Sequence, residues 1–381
     1  MEKKIFYWSP HINQEVATVK AVLNSAYSLT KFSSRFKPYI INAFGEWDSF
    51  SEQFEKMNIS SFKIFNFNIK LPINGFIKSR LFYIFFSLIV FFPLIKLINR
   101  EKPDYVIIHL ITIPVLIVSF FLKKKTKFIL RISGFPKLNL FRKFFWKLSS
   151  KNLDKIFTPT SLTKKMLIEN NIFFKDKIFL LEDPVIQIRK IVKLKNQKIN
   201  DLPVNFKYII SIGRLTKQKN FLFLIKSFAK IKNELNNIKL VIVGSGEEFK
   251  KLNKLIIQNN LQKEIILVGY RANIFNYLNQ AILFVLSSEW EDPGFVIIEA
   301  AACNKLIFSS NVVSGPKEFL DKEKNGILFE KNNFVDFKSK ILKIFNLNEK
   351  IFFEKKLSAK INVKKYTIFS HFNKLQNFLS D

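Results

Sequence analysis

The segment Glu291-Asp-Pro-Gly-Phe-Val-Ile-Ile-Glu299 carries two carboxylates on either side of a Pro-Gly turn, and an apolar helix-like run follows that turn. Immediately upstream, Ile282-Leu-Phe-Val-Leu-Ser287 is a short apolar run typical of a buried parallel strand. This order indicates the carboxyl edge of a doubly wound sheet, where such sheets bind ligands. Free amides at the helix start favour an anion, and carboxylates accept hydrogen bonds from hydroxyls. An anion joined to a polyol fits this edge, but ordinary helix chemistry explains the segment equally well.

Strand-like and helix-like segments alternate along the rest of the chain. The strand-like runs are Ile5–Trp8, Tyr39–Asn42, Phe62–Phe67, Tyr105–Ile108, Phe128–Arg131, Lys155–Phe157, Tyr208–Ile212, Leu240–Val243, Ile265–Val268, Ile282–Leu286 and Leu306–Phe308. Alternation of this kind predicts parallel sheets with helices on both faces. We therefore expect an α/β protein with two Rossmann-like, doubly wound domains that face each other across a cleft.

A Lys-, Asn- and Gln-rich stretch over residues 186–203 interrupts the alternation and is the predicted linker. It separates an N-terminal domain, residues 1–185, from a C-terminal domain, residues 204–350. The remaining segment, residues 351–381, has a helical pattern. We expect it to pack back on the N-terminal domain.

The chain is strongly basic, with 62 Lys and Arg against 30 Asp and Glu among 381 residues, and a net charge of +32. Such a surface suits an anionic membrane or a nucleic acid. The basic residues are spread along the whole chain and no nucleic-acid recognition motif accompanies them. A hydrophobic content of 48% excludes a disordered chain. We expect a membrane-facing surface and no nucleic-acid partner.

The longest apolar run, Leu81–Ile95, is flanked by Lys78, Arg80 and Lys96 and contains Pro93. It is shorter than the ~20 residues that a membrane-spanning helix needs. A core helix, or a helix lying in the membrane interface between basic anchors, explains it better. We expect peripheral attachment to the inner face of the cytoplasmic membrane, without a cleavable signal at the N-terminus.

Cysteine and histidine are too sparse for a disulfide framework or a metal site. The chain has one cysteine, Cys303, and three scattered histidines. A reducing compartment is therefore permitted. We expect a cytoplasmic protein with no metal and no cofactor.

A second polar cluster lies in Ile209-Ile-Ser-Ile-Gly-Arg-Leu-Thr-Lys-Gln-Lys219, where a strand and a Gly turn precede Arg214 and Lys219. A guanidinium forms forked bonds to phosphate oxygens and an ammonium adds a point charge. Both side chains are expected at the same sheet edge as the acidic loop. The following Val243-Gly-Ser-Gly lacks the third Gly of a dinucleotide fingerprint and is interpreted as a tight strand-to-helix turn.

Five segments occur in order, and together they resemble the donor-binding half of the family 4 retaining glycosyltransferases, which have the GT-B fold. The segments are Gly213-Arg-Leu with Lys219, Val243-Gly-Ser-Gly-Glu247, Gly269-Tyr-Arg-Ala-Asn273, Leu286-Ser-Ser-Glu-Trp-Glu291 through Glu299-Ala300, and Gly315-Pro-Lys-Glu with Asn325-Gly326. The two glutamates with seven residues between them match the hallmark motif of that family. The resemblance is specific over about 207–329 and weak in the N-terminal half.

The resemblance implies roles for these residues. Arg214 and Lys219 would neutralise the donor diphosphate in place of a metal, and Glu299 would accept hydrogen bonds from the ribose. Glu291 would act in catalysis by contacting the transferred sugar. Backbone contacts to the sugar and phosphate would come from Gly294, Phe295 and Val296.

The N-terminal half departs from the family pattern, and its roles are correspondingly less defined. Glu15 fits the acidic residue that opens the first helix on the acceptor side. Ser133 stands where the family usually has a sugar-contacting histidine, so His109, at the end of a strand, is the alternative catalytic histidine.

By resemblance, the chain is expected to be a retaining, metal-independent hexosyltransferase. Its donor would be a nucleotide diphosphate sugar and its acceptor a saccharide, lipid-linked, in polysaccharide or lipopolysaccharide synthesis such as that of O-antigen or capsule. The N-terminal domain would bind the acceptor and the C-terminal domain the donor. Two alternatives stay open: a sugar-nucleotide epimerase of the same fold, which needs no acceptor, and a basic nucleic-acid-binding protein.

Overall fold

The computed structural model of the protein describes residues 2–10, 17–65, 76–122, 125–136, 138–203, 207–235 and 237–380, with the backbone alone described at 76–84. The chain divides into two compact units. Unit 1 comprises Met1–Pro184 and Ile368–Asp381, and unit 2 comprises Val185–Thr367. Each unit contains one parallel sheet with helices on both of its faces.

Unit 1 is built on a seven-stranded parallel sheet. Its strands are β1 (Lys3–Trp8), β2 (Phe36–Asn42), β3 (Ser60–Lys63), β4 (Tyr105–Ile108), β5 (Lys127–Arg131), β6 (Leu153–Thr158) and β7 (Ile178–Leu180), in the order β3-β2-β1-β4-β5-β6-β7. Its helices are α1 (Ala17–Phe32), α2 (Ser51–Lys56), α3 (Phe76–Glu101), α4 (Ile113–Val118), α5 (Leu140–Ser149), α6 (Ser161–Glu169) and the C-terminal α15 (Ile368–Ser380).

The period of two along each strand of unit 1 divides its core into two layers. Phe6 and Trp8 of β1 belong to the layer that α3, α4 and α5 cover. Ile5 and Tyr7, the alternate residues of β1, belong to the layer that α1 and α15 cover. Strands buried on both faces read as continuous apolar runs, which is why the alternating pattern of elements was visible in the sequence.

Unit 2 is built on a six-stranded parallel sheet. Its strands are β8 (Tyr208–Ile212), β9 (Lys239–Val243), β10 (Ile265–Gly269), β11 (Leu283–Leu286), β12 (Leu306–Ser310) and β13 (Ile327–Phe329), in the order β10-β9-β8-β11-β12-β13. Its helices are α7 (Ile188–Lys195), α8 (Phe221–Ile231), α9 (Phe249–Gln258), α10 (Phe275–Gln280), α11 (Phe295–Ala302), α12 (Gly315–Leu320), α13 (Phe334–Phe345) and α14 (Glu349–Asn362).

Each sheet reverses its strand order once. In unit 1 the reversal lies between β1 and β4, and in unit 2 it lies between β8 and β11. Loops leaving the carboxyl ends of the two strands diverge at such a point and leave a crevice for a ligand. The predicted fold class, α/β with two doubly wound sheets, is confirmed.

The unit boundaries differ from the predicted domain boundaries at two places. Residues 186–203 do not form a linker: they contain α7, whose Ile191 is buried in unit 2. Spaced apolar residues among the Lys and Asn give this segment one face that packs on α10. Of the segment 351–381, only the part from Ile368 onwards belongs to unit 1, because α14 stays with unit 2.

The longest apolar run lies within a single helix, α3, which continues through Pro93. Phe86, Val90 and Leu94 are buried on one side of this helix, against the core of unit 1. Among the helices whose residues the structure describes, none is long and apolar enough to span a membrane.

Close backbone packing in unit 2 explains the Gly-x-Gly after β9. The loops after β8 and β9 are joined by a hydrogen bond from the Leu215 amide to the Ser245 carbonyl, at 2.7 Å. A Cβ atom on Gly244 would lie 1.9 Å from the carbonyl oxygen of Gly213, and one on Gly246 would lie 2.5 Å from that of Leu215. These glycines therefore let the two loops touch, in agreement with the predicted tight turn.

This close backbone contact makes Gly244 sensitive to substitution. Gly244→Ala should lower the free energy of unfolding by about 1–3 kcal/mol, because the added methyl group forces two backbone segments apart. Urea denaturation measures the change. Glu247→Ala, an exposed residue of the same turn, is the matched control and should stay within about 0.5 kcal/mol of the wild type. A Gly244→Ala variant as stable as the control would contradict the packing described here.

Candidate functional site

The reversal point of unit 2 brings together the two loops that the sequence singled out. The loop after β8 and the loop after β11 are joined by a hydrogen bond from the Glu289 amide to the Gln218 carbonyl, at 2.8 Å. A second bond runs from the Ser287 hydroxyl to the Lys219 carbonyl, at 2.9 Å. The loops are thus joined to each other by uncharged groups, independently of any charged side chain.

A buried ion pair lies between these loops. The ammonium of Lys219 contacts Oε1 of Glu291, and the two side chains are only 12% and 7% exposed. The hydroxyl of Ser288 donates to the same oxygen at 2.7 Å. Gly213 leaves room for the lysine, since a Cβ there would lie 3.0 Å from its Cε. Oε2 of Glu291 makes no hydrogen bond with the part of the chain that the structure describes, so it is the oxygen left for a ligand.

The turn after Glu291 is supported from the neighbouring loop, which begins after β12. The hydroxyl of Ser314 donates to Oδ1 of Asp292 at 2.7 Å, and the Gly315 amide donates to the Glu291 carbonyl at 3.3 Å. Gly315 must lack a side chain, because a Cβ would lie 2.1 Å from the Pro293 carbonyl oxygen. Ser314 and Gly315, at the start of α12, therefore support the acidic loop.

Helix α11 begins directly after this turn. Gly294 is its N-cap residue, with φ +83° in the left-handed region that favours glycine. Phe295 and Val296 are the first two helical residues, whose amides have no acceptor within the helix. The predicted backbone contacts thus lie at the positive end of a helix, next to Glu291. Glu299 follows on the same helix and is 6% exposed.

Arg214 differs from Lys219 in its surroundings. It follows Gly213 at the end of β8 and is exposed, and its guanidinium makes no hydrogen bond or ion pair with the described residues. An exposed guanidinium that makes no hydrogen bond with the described residues is available to bind a phosphate.

Two supporting side chains were missed in the sequence. Ser288 orients Glu291, as described above, and Glu289 joins three segments. Oε1 of Glu289 accepts from the amides of Asn220, at 2.8 Å, and Asn332, at 2.9 Å. The sequence did not indicate this supporting role of Glu289, because its partner Asn332 is distant in the sequence.

The remaining predicted residues are the candidate catalytic His109 and the acceptor-side candidates Ser133 and Glu15, all in the N-terminal half of the sequence. Glu15 lies outside the described residues. Ser133 follows β5, and its buried hydroxyl has no hydrogen-bond partner in the part of unit 1 that is described. His109 follows β4 at the reversal point of the sheet, and its backbone amide donates to the Trp8 carbonyl at 2.8 Å.

The ring of His109 is buried rather than exposed at a surface. It lies over Tyr7, with 6.1 Å between ring centroids, and lines a cavity of about 10 Å³ with Arg131, Asp183 and His371. Burial, together with the positive charge of Arg131, holds the pKa of His109 well below its usual value. The imidazole is therefore neutral. Its catalytic role stays a prediction.

His371 completes a buried chain of hydrogen bonds in unit 1. Its Nδ1 lies 2.8 Å from the carbonyl oxygen of Glu182, which can only accept, so Nδ1 carries the proton. Nε2 then accepts from the Ser25 hydroxyl at 2.9 Å, and Ser25 accepts from the Tyr7 hydroxyl at 2.9 Å. Burial lowers the pKa of His371 to about 3, against the opposing effect of the Glu182 carbonyl.

No group of three or more His, Cys, Asp or Glu in the described ranges is arranged to hold a metal ion. The predicted lack of a metal requirement concerns the reaction itself and stays a prediction. Cys303 is a buried free thiol whose pKa burial raises to about 12.

Comparisons with known proteins give a consistent result. A family model described as "Glycosyl transferases group 1" matches residues 192–365. An uncharacterized glycosyltransferase of Methanocaldococcus jannaschii is 34% identical over 295 residues, covering 73% of this chain and 71% of that protein.

Two further proteins are similar at a lower level. The N-acetylgalactosamine-N,N'-diacetylbacillosaminyl-diphospho-undecaprenol 4-alpha-N-acetylgalactosaminyltransferase of Campylobacter jejuni is 28% identical over 195 residues, 51% of this chain and about half (52%) of that protein. The crystal structure of Anabaena HepE in complex with UDP superposes with a TM-score of 0.72 at 14% identity, covering 100% of both chains. The latter likeness concerns the fold.

The ion pair yields a stability prediction. Lys219→Met should lower the free energy of unfolding by about 3–5 kcal/mol, because it leaves the Glu291 carboxylate buried without its partner. The double variant Lys219→Met with Glu291→Gln should recover a large part of that loss. Urea denaturation of both variants measures the effect. A single variant within about 0.5 kcal/mol of the wild type would show that the pair is solvated and weak.

His371 yields a pH prediction. Its pKa in the folded protein is about 3, whereas in the unfolded chain it is about 6.5. The unfolded state therefore binds an extra proton between these values, so stability is complete above about pH 6.5 and falls on acidification. Well inside that window this histidine contributes roughly 1 kcal/mol per pH unit.

The variant His371→Gln tests this slope. Thermal unfolding measured from pH 7 to pH 5 should show a shallower loss of stability in the variant than in the wild type, with the part due to His109 remaining. Equal slopes in the two proteins would contradict a neutral, buried His371.

Proposed function

The chain belongs to the group 1 glycosyltransferases, and on that premise we propose that it is a family 4 enzyme that transfers a sugar, with retention of configuration, from a nucleoside diphosphate sugar to a lipid-linked saccharide. Family membership favours transfer over the epimerase and the nucleic-acid-binding alternatives. The observation that carries the proposal is the Lys219–Glu291 ion pair at the reversal point of unit 2. Lys219 and Glu291 contact each other there, which supports a phosphate as the ligand of the cation and a hydroxyl as the ligand of the carboxylate.

The donor diphosphate would bind between the loops after β8 and β11. The guanidinium of Arg214 has no partner among the described residues, and Lys219 is already oriented by Glu291. Both cations, with the amides of Phe295 and Val296, would stabilise the charge that grows on the departing diphosphate as the bond to the sugar breaks. Charge supplied in this way by the protein supports a reaction that needs no metal. The UDP named in the complex of HepE supports a nucleoside diphosphate as leaving group.

The two glutamates would recognise hydroxyl groups. Oε1 of Glu291 is occupied by Lys219 and Ser288, so Oε2 would face the transferred sugar, where its charge also stabilises positive charge developing at the sugar ring. Glu299 would accept hydrogen bonds from the ribose. When the donor binds, Lys219 would be shared between Glu291 and the phosphate, so one lysine would couple sugar recognition to leaving-group stabilisation.

The acceptor would be a saccharide on a lipid diphosphate carrier, as in bacterial polysaccharide or lipopolysaccharide synthesis, including O-antigen and capsule. The similarity to the Campylobacter jejuni enzyme, whose name includes a diphospho-undecaprenol substrate, supports this class. The net charge of +32 supports work at the inner face of the cytoplasmic membrane. His109 remains the candidate catalytic histidine, and Ser133 and Glu15 remain the candidates for acceptor-side contacts.

Arg214→Ala tests the donor site without disturbing the fold, because the side chain is exposed. Its kcat/KM for transfer from a nucleoside diphosphate sugar to an undecaprenyl-diphosphate-linked N-acetylhexosamine should fall about 10²–10³-fold, by loss of a donor to the leaving group. Glu299→Ala should weaken donor binding in the same assay. Lys217→Ala, an exposed lysine in the same loop, is the matched control and should retain activity. Full activity of both Arg214→Ala and Glu299→Ala would contradict the proposed donor site.

A further inference from the structure

Helix α5 of unit 1 exposes an apolar stripe. Leu140, Phe141, Phe144 and Leu148 are 87%, 66%, 70% and 49% exposed. With 100° between successive residues, these four positions fall within one side of the helix. Trp146, by contrast, is buried in the core from the other side. The helix thus exposes a largely apolar side that faces away from the core of unit 1.

Helix α3 repeats this arrangement. Phe85, Leu88 and Phe92, spaced by three and four residues, are 61%, 70% and 76% exposed, on the side opposite the buried residues of the same helix. Phe121, just after α4, is 67% exposed and continues the stripe, since its ring lies 5.4 Å from that of Phe91 on α3.

Both stripes belong to one side of unit 1. The buried residues of α3, α4 and α5 share a single hydrophobic core cluster against the same layer of the sheet, so the outward sides of these helices form one outer face. We call it the α3–α5 face. It exposes Phe85, Leu88, Phe92, Phe121, Leu140, Phe141, Phe144 and Leu148. Scattered apolar residues are normal on a protein surface, but a set of this size on one face marks an interaction site.

The charges of the α3–α5 face select its partner. Within α5 there are three basic residues and no acidic one, and within α3 the single acidic residue is Glu101 at its end. Lys143 and Lys147 lie three residues after Leu140 and Phe144 and therefore border the stripe. Lys96, one turn after Phe92, is exposed. Apolar side chains bordered by lysines match an anionic lipid bilayer, in which rings enter the interface and ammonium groups meet headgroup phosphates.

We propose that the α3–α5 face is a bilayer-binding surface, on which α5 and the exposed side of α3 lie in the plane of an anionic membrane. The exposed rings would enter the boundary between headgroups and acyl chains, and the lysines would bind the anionic headgroups. This rests on the proposed function in one respect: a lipid-linked acceptor explains why unit 1 would be held at a membrane. The surface itself is defined by exposure and charge, whatever reaction unit 2 carries out.

Vesicle sedimentation of the full chain tests the inference. The wild type should bind vesicles of phosphatidylglycerol and phosphatidylcholine in equal parts, and bind pure phosphatidylcholine much more weakly. Phe141→Ser with Phe144→Ser should reduce the partition coefficient about tenfold or more, because two rings no longer leave water. Thermal unfolding should be unchanged, since both side chains are exposed. The matched control is Phe353→Ser with Phe369→Ser, two rings that are 57% and 55% exposed outside the α3–α5 face; it should bind as the wild type does.

Three results would overturn the inference: no binding of the wild type to anionic vesicles, equal binding by the α5 variant, or equal losses in the two double variants. Loss of a dimer in the α5 variant, without any vesicle binding by the wild type, would instead identify the face as an interface between two copies. Arg214→Ala separates this inference from the proposed function. It should bind vesicles normally while losing transfer, so vesicle binding without transfer in the wild type would contradict the proposed function alone.

Discussion

The ion pair between Lys219 and Glu291 is the interaction on which the candidate site depends. Parallel strands β8 and β11 are adjacent only because the strand order reverses between them, and that reversal brings together two loops 72 residues apart in sequence. A buried lysine and a buried glutamate are each costly alone and tolerable together. This pair is held in place at the sheet edge by Gly213, Ser288 and the Ser314–Gly315 segment.

The sequence allowed the fold class to be predicted and several residues of the candidate site to be singled out, because both follow from local patterns. Apolar runs reveal strands that are buried on both faces. The two glutamates, the turn between them and the helix start lie in one continuous stretch of sequence. Contacts between distant segments were not predictable. Oε1 of Glu291 accepts a hydrogen bond from Ser288, and Oε1 of Glu289 accepts one from Asn332. Both contacts depend on loop geometry, which the spacing of residues in the sequence does not determine. The helix within residues 186–203 was missed because it contains four basic residues and buries only Ile191.

Unit 1 uses the two sides of its sheet differently. On one side, α1 and α15 enclose a chain of buried, hydrogen-bonded polar groups from Tyr7 to His371. These hydrogen bonds connect α15 to β1 through Ser25 of α1. On the other side, α3 and α5 bury only their inner residues and leave rings exposed. The proposed membrane contact therefore rests on the second side alone, where exposed rings and basic residues occur together.

Calorimetric titration tests the central claim most directly, that unit 2 binds a nucleoside diphosphate through its own cations. UDP, GDP, uridine and guanosine would be titrated into the full chain in the presence of EDTA. We predict that at least one diphosphate binds about tenfold or more tightly than its nucleoside, because two cations and a helix start meet the phosphates. Equal affinity of nucleoside and diphosphate, or binding that requires a divalent metal, would contradict the account.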